Sequence, residues 1–170
     1  TAEQFVDAIA TLTGNWKPSP AKKIEFGGAN LAGVKVGFDR NDLPQGRWIW
    51  SSAEAAKGVE PGTSYFRKRF ELPDKPKTAD VIAAVDNSFV LLVNERNGIA
   101  GKNWEEPKFR NLANRFKKGK NLVWVSATNE GSGKNPAGLW LGIRFQFADG
   151  SKTDVVSDKS WKVSSEDADG

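Results

Sequence analysis

Apolar and polar residues alternate in short runs through the middle of the chain, which is typical of β-strands that bury one face. Between Tyr65 and Leu72, for example, Phe66 and Phe70 share one face while charged residues occupy the other. Such runs recur at short intervals with turn residues between them, so the pattern predicts an all-β chain folded as an antiparallel β-sandwich. The other predicted strands are Arg47–Trp50, Val81–Val85, Ser88–Asn94, Asn121–Thr128, Leu139–Phe147, Thr153–Val156 and Trp161–Val163.

Turn residues mark the predicted connections. Asp86-Asn87 predicts a tight turn between two apolar strands. Asn97-Gly98 predicts another turn, and Asp149-Gly150 predicts the turn after the strand that ends at Phe147.

The first residues have the period of a helix. Phe5, Ile9 and Leu12 fall on one helical face, and Gly14 is a natural stop. A proline-bearing stretch follows, which is typical of a linker. The predicted organisation is a short N-terminal α-helix and linker over residues 1–20, a β-sandwich binding module over 21–164 and an acidic tail over 165–170.

The amino-acid composition limits the kinds of catalytic and metal sites that the chain can form. The chain has 170 residues, a formal net charge of +4, and neither histidine nor cysteine. These absences exclude a Ser-His-Asp triad, thiolate nucleophiles and imidazole or thiolate metal ligands within the chain. Apolar runs such as Phe89–Val93 are too short to span a bilayer. Because the first residue is Thr1 and no methionine occurs, we expect a fragment of a longer protein.

Seven tryptophans make carbohydrate the first ligand class to consider. A protein holds a sugar by stacking an aromatic ring on its apolar face and directing polar groups at its hydroxyls. Trp104 lies in the polar stretch Gly101–Glu106, and the loop Asn129–Pro136 is expected to meet the Asn94–Trp104 region at one end of the sandwich. The predicted ligand-binding residues are Trp104, Asn103, Arg96, Asn94, Glu105, Asn129, Trp140 and Arg144.

Each aromatic residue also has a packing interpretation. Trp104 could instead fold back over the core, and loops could cover the strand face that carries Trp140. The tryptophans assigned to packing are Trp48, Trp50, Trp124 and Trp161. This leaves, as aromatic candidates for ligand contact, Trp104, Trp140, Trp16 and Tyr65.

Several segments, in order, resemble the galactose-binding-like jelly-roll domain, and most of all the accessory β-sandwich modules of bacterial rhamnosidase-type glycoside hydrolases. They are Trp48–Trp50, Tyr65–Phe70, Ala84–Phe89, Leu91–Asn94, Lys118–Val123, Ala127–Asn129, Pro136–Leu139 and Asp158–Val163. The resemblance implies a jelly-roll fold and, in many such domains, a structural calcium ion. Carboxylates available for calcium are Asp86, Asp149, Asp154 and Asp158.

The N-terminal segment Thr1–Ile9 resembles part of large multidomain bacterial proteins with cytochrome-c-like domains. That resemblance implies an exported parent protein and a periplasmic or extracellular location. The chain itself has no Cys-x-x-Cys-His, so we expect no c-type haem bound to it. Apart from a structural calcium ion, we expect no cofactor.

The hypothesis is a non-catalytic carbohydrate-binding module whose partners are an oligosaccharide or polysaccharide and neighbouring domains of the parent chain. The alternative is a structural or protein-interaction domain. A third hypothesis, a glycosidase acting through Glu105 and Glu106, is disfavoured because sequence neighbours do not flank a substrate. The lysines of Phe116–Lys120 crowd a turn, so we expect no nucleic acid partner.

Overall fold

The computed structural model describes residues 44–165, which form two antiparallel sheets packed as a sandwich. The strands are β1 (Gly62–Leu72), β2 (Thr78–Asp86), β3 (Ser88–Val93), β4 (Arg96–Lys102), β5 (Lys108–Asn111), β6 (Gly119–Asn129), β7 (Gly138–Gln146), β8 (Lys152–Val156) and β9 (Lys162–Ser164). The five-stranded sheet has the order β4-β3-β6-β1-β9, and the four-stranded sheet has the order β5-β2-β7-β8. The predicted antiparallel β-sandwich is confirmed.

The core forms because the inner faces of both sheets carry the alternate apolar residues. Phe66, Leu91 and Val125 face inward from the five-stranded sheet, and each is at most 1% exposed. From β7, every second residue enters the same core, as the sequence pattern predicted. These residues are Leu139, Leu141, Ile143 and Phe145. Burial of this apolar surface is the main stabilising term for the two sheets.

The predicted tight turn at Asp86-Asn87 does not join two strands that pair with each other. It is short, but β2 pairs with β5 and β7 whereas β3 pairs with β4 and β6. The chain therefore crosses here from one sheet to the other. Residue types at a turn do not reveal which strands pair on either side of it.

The prediction of a turn at Asn97-Gly98 is wrong. β3 and β4 form a hairpin whose two loop residues are Asn94 (φ 48°) and Glu95 (φ 64°), and Asn97 and Gly98 lie inside β4. Two consecutive positive φ angles match the right-handed twist of a two-residue hairpin. Side-chain hydrogen bonds of Asn94 hold this loop, as described below.

The segment Arg47–Trp50 is not a full strand. Ile49 forms a single bridge with Leu139, and Arg47 donates its N–H to the Ser157 carbonyl at 2.8 Å. Ile49 therefore lies beside β7, whereas Pro44 and Trp48 lie over the outer face of β7, where two glycines leave room. A Cβ at Gly138 would lie 2.8 Å from Trp48, and one at Gly142 would lie 2.8 Å from Pro44.

The predicted N-terminal helix, linker and acidic tail lie outside the described residues, apart from residue 165, so these boundaries stay predictions. Within the described part of the chain, no helix has the length and apolar character needed to cross a membrane.

Candidate functional site

Three connections meet at one end of the sandwich, and Asn87 joins them. Its N–H donates to the Thr128 carbonyl at 2.7 Å, and its own carbonyl accepts the Asn103 N–H at 2.7 Å. Its side-chain Oδ1 accepts the Glu130 N–H at 2.6 Å. The loop after β4, which carries Trp104, is therefore fixed against the loop after β6. We call this region the loop end.

Asp86 precedes Asn87 and is the most perturbed acid at the loop end. The residue is only 7% exposed, and desolvation by burial raises the pKa of its carboxyl from 3.8 to about 6. No hydrogen bond from residues 44–165 reaches this carboxylate, so nothing in the described chain offsets its loss of hydration. A buried acid of this kind at a loop cluster is typical of a functional site.

The sequence analysis did not include Asp86 or Asn87 among the predicted ligand-binding residues, because it considered Asp86 only for a turn and for calcium and Asn87 only for a turn. A usable signal was present, since Asp86 directly follows the apolar run Val81–Val85. A carboxylate placed immediately after a buried strand is held rigidly at the edge of a sheet.

The Trp104 loop is a compact turn after β4. Asn103 has a positive φ of 70°, and its Oδ1 accepts the Glu105 N–H at 3.1 Å. Its carbonyl accepts the Glu106 N–H at 3.2 Å. Trp104 is half-buried, while Asn103 and Glu105 are exposed. The structure thus brings these three predicted residues together at the loop end.

Asn129 also lies at the loop end but is buried beneath it. The residue is 1% exposed, and its Nδ2 is 3.4 Å from the Val59 carbonyl and 3.5 Å from the Asn135 carbonyl. Its Oδ1 has no hydrogen-bond donor among the residues that the structure describes. Asn129 therefore braces the loop after β6, which corrects its prediction as a direct ligand contact.

Asn94 and Arg96 lie at the opposite end of β3 and β4, which corrects their placement beside Trp104. Asn94 donates through Nδ2 to the Arg115 carbonyl at 2.8 Å and to Asn121 Oδ1 at 2.9 Å. Its Oδ1 accepts the Leu122 N–H at 2.9 Å. The side chain of Asn94 is committed to holding the β3–β4 hairpin.

Trp140 and Arg144 are buried on the outer face of the four-stranded sheet. Trp140 is 4% exposed, so its ring is not open to a ligand. Arg144 Nε and Nη2 donate to the two carboxylate oxygens of Asp154 at 2.9 and 2.7 Å. The predicted ligand role of both residues is corrected, because covering segments and an ion pair occupy this face.

The four carboxylates considered for calcium do not converge. Asp149 accepts hydrogen bonds from Ser151, which lower the pKa of its carboxyl, and Asp154 pairs with Arg144. Asp158 accepts hydrogen bonds from Ser160 in its own turn. Within residues 44–165, no three acidic side chains form a cluster that could hold a metal ion. These four residues therefore do not fit a shared calcium site.

Of the four tryptophans assigned to packing, three are packed as predicted and one is not in the core. Trp48 and Trp161 are 5% and 8% exposed, and Trp50 packs against Phe66 at a centroid distance of 5.7 Å, so their packing role is confirmed. Trp124 does not enter the core. It is half-buried on the outer face of the five-stranded sheet, and its ring centroid lies 5.7 Å from that of Tyr65.

A shallow depression of about 410 Å³ lies on the same outer face, next to the loop end. Its lining residues are Ser88, Phe89, Val90, Ala100, Gly101, Lys102, Ser126 and Thr128.

Comparison with known proteins relates the chain to carbohydrate-active β-sandwiches. It is 31% identical over 131 residues to an alpha-L-rhamnosidase of Streptomyces avermitilis, a match that covers 72% of this chain and 12% of that protein. The crystal structure of Streptomyces avermitilis alpha-L-rhamnosidase complexed with L-rhamnose matches with a TM-score of 0.69 and 25% identity, over 75% of this chain and 13% of the other. No protein-family model matches the chain.

Lectins are similar as well. The apo form of the Pleurotus ostreatus lectin matches with a TM-score of 0.66 and 28% identity, over 75% of this chain and 38% of the lectin. The complex of a Pleurotus ostreatus lectin with GalNAc matches with a TM-score of 0.60 and 25% identity, over 72% and 38%. These matches confirm the predicted resemblance to a rhamnosidase-type β-sandwich module.

Proposed function

We propose that this β-sandwich is a non-catalytic carbohydrate-binding module of a larger exported protein, and that it binds glycans at the loop end. The observation that carries the proposal is the position of Asp86 and Trp104. Asp86 precedes Asn87 and Trp104 follows Asn103, so both residues adjoin, in sequence, the hydrogen bond between Asn87 and Asn103.

This arrangement has the two parts that a sugar site needs. Trp104 supplies an apolar ring for the C–H face of a pyranose, and the Asp86 carboxylate accepts hydrogen bonds from hydroxyl groups. Asn103 and Glu105 are exposed beside the ring and can bind further hydroxyls. The similarity to a rhamnosidase complexed with L-rhamnose and to a lectin complexed with GalNAc supports a sugar ligand.

The acid pair Glu105 and Glu106 does not support catalysis. The two residues are adjacent and exposed on one turn, and Glu106 Oε2 lies 3.2 Å from Lys108 Nζ. A glycosidase needs one protonated and one ionised carboxyl on opposite sides of the scissile bond. An open loop end buries little of the ligand's surface, so the contacts offset little of the entropy that the ligand loses on binding. We therefore expect weak affinity.

The test is calorimetric titration of the 170-residue chain with L-rhamnose, GalNAc, galactose and their oligosaccharides. Trp104→Ala should weaken binding of the sugar that the wild type recognises by about tenfold or more, because stacking is lost. Circular dichroism should show an unchanged fold. Arg96→Ala is the control, since Arg96 is exposed at the opposite end and should leave affinity unchanged.

Equal binding by the wild type and Trp104→Ala would contradict the proposed site. Unfolding of Trp104→Ala would assign the ring to packing, and Asp86→Ala would then decide whether the loop end binds sugar. If the wild type shows no measurable binding to any of these sugars, the structural or protein-interaction alternative would be favoured.

A further inference from the structure

The outer face of the five-stranded sheet carries a half-buried aromatic pair. Tyr65 on β1 and Trp124 on β6 have ring centroids 5.7 Å apart and planes inclined by 35°. Both residues are half-buried, and Val90 on β3 is 45% exposed. Ser126 lies between Tyr65 and Val90 in the cross-strand register. Tyr65, Trp124 and Val90 therefore form a strip across three strands, with Ser126 among them, that is partly open to solvent.

Positive charge flanks the aromatic pair. Arg67 on β1 lies opposite Trp124 on one side and opposite Lys162 of β9 on the other. Arg69 occupies the next outward position of β1. Within residues 44–165, no carboxylate forms a salt bridge with any of these three cations. The acid on this side of β1 is Glu71, which lies opposite Lys120.

The pairing of Arg67 with Lys162 places two positive charges opposite each other, which is electrostatically unfavourable in the absence of an anion. Side chains directly opposite each other on neighbouring strands are about 5 Å apart at Cβ, and like charges in these positions repel. An anionic group placed between the two side chains would relieve the repulsion and form two charge-assisted hydrogen bonds. This arrangement of charges indicates an acidic ligand.

We propose that this surface binds an extended acidic polysaccharide. Sugar rings lie against Tyr65 and Trp124, and the carboxylates of uronic acid residues bind Arg67 and Lys162. A long chain suits a flat sheet face, whereas the loop end suits a single sugar unit. A protein partner fits less well, because stable interfaces need about 800 Å² on each side with an apolar centre, and this strip is narrow and rimmed by cations.

The experiment is affinity electrophoresis of the 170-residue chain in native gels that contain polygalacturonate, with hydroxyethyl cellulose as the neutral polymer. Polygalacturonate should retard the wild type, and the retardation should weaken as salt is added. Trp124→Ala and the double variant Arg67→Gln/Lys162→Gln should each raise the apparent dissociation constant by about tenfold. Lys75→Gln/Lys152→Gln removes the same charge elsewhere and should bind as the wild type does.

Absence of retardation, equal retardation by the neutral polymer, or equal losses in both double variants would overturn the proposal. The Gln variants keep the result interpretable if Trp124→Ala fails to fold. Size-exclusion chromatography completes the test. If the wild type is a dimer and Trp124→Ala is a monomer, a second copy of the chain covers this face, and the polysaccharide proposal is overturned. None of these outcomes depends on Trp104 or Asp86, so the loop-end proposal is tested separately.

Discussion

At the scale of single residues, the proposed site places Asp86 where its burial costs stability. Its carboxyl is 7% exposed and no described residue donates a hydrogen bond to it, so its ionised form is disfavoured in the folded state. Asn87, by contrast, satisfies its backbone and side-chain oxygens within the loop end. Asn87 organises the loops, and under the proposed function its neighbour Asp86 offers the ligand a hydrogen-bond acceptor.

Asp86→Asn should therefore stabilise the fold and weaken sugar binding. The pKa of Asp86 is about 6 in the folded state and 3.8 ordinarily. The free energy of unfolding of the wild type therefore falls, relative to that of the variant, as pH rises between these values. Above pH 6 the variant should gain up to about 2 kcal/mol in free energy of unfolding, after a discount for solvent screening. Below pH 4 the difference should vanish.

Urea denaturation of both proteins between pH 3.5 and 7.5, together with titration at pH 7, measures the two effects. A variant that is less stable at pH 7, or that binds sugar normally, would show that Asp86 is a structural acid.

At the scale of secondary-structure elements, β7 is covered on both faces. Its inner face enters the core, and its outer face lies under Pro44 and Trp48 because Gly142 and Gly138 leave space there. Alternation along β7 correctly predicted the two faces. It could not predict the cover, because the segment that supplies it is distant in sequence and forms only an isolated bridge at Ile49.

Gly142→Ala should destabilise the fold by about 1–3 kcal/mol through overpacking. The new methyl group would lie 2.8 Å from Pro44 Cβ, and the proline ring cannot rotate away. Gly62→Ala is the matched strand control, since no heavy atom lies within 4 Å of its added Cβ. It should change stability by about 0.5 kcal/mol or less. Equal midpoints of urea unfolding for the two variants would contradict the cover over β7.

At the scale of the whole molecule, the sequence allowed the class of fold to be predicted but not the arrangement of strands. Period-two alternation and short apolar runs between turn residues identified most strands. Strand order depends on contacts between distant residues, so the turn residues Asp86-Asn87 did not reveal that the chain crosses between the sheets there. The same limitation affected the site. Trp104, Asn103 and Glu105 share one loop and were correctly grouped, whereas Asn94 and Arg96 lie a strand length away.

The burial of tryptophans was also only partly predictable. Trp161 was correctly assigned to the core, whereas Trp124, which lies between Val123 and Val125, points outward. Its direction follows from the register of β6 with β1 and β3, which sequence alternation alone leaves ambiguous when both faces carry large residues.

The most direct test of the central claim is a ¹⁵N–¹H NMR titration of the chain with the sugar that it binds. We expect the perturbed amides to cluster at residues 86–88, 103–106 and 129–135, with the Trp104 indole N–H among them. Amides of the hairpin at Asn94–Arg96 and the indole of Trp140 should not move. Shifts confined to that hairpin or to the outer face of the four-stranded sheet would contradict a carbohydrate site at the loop end.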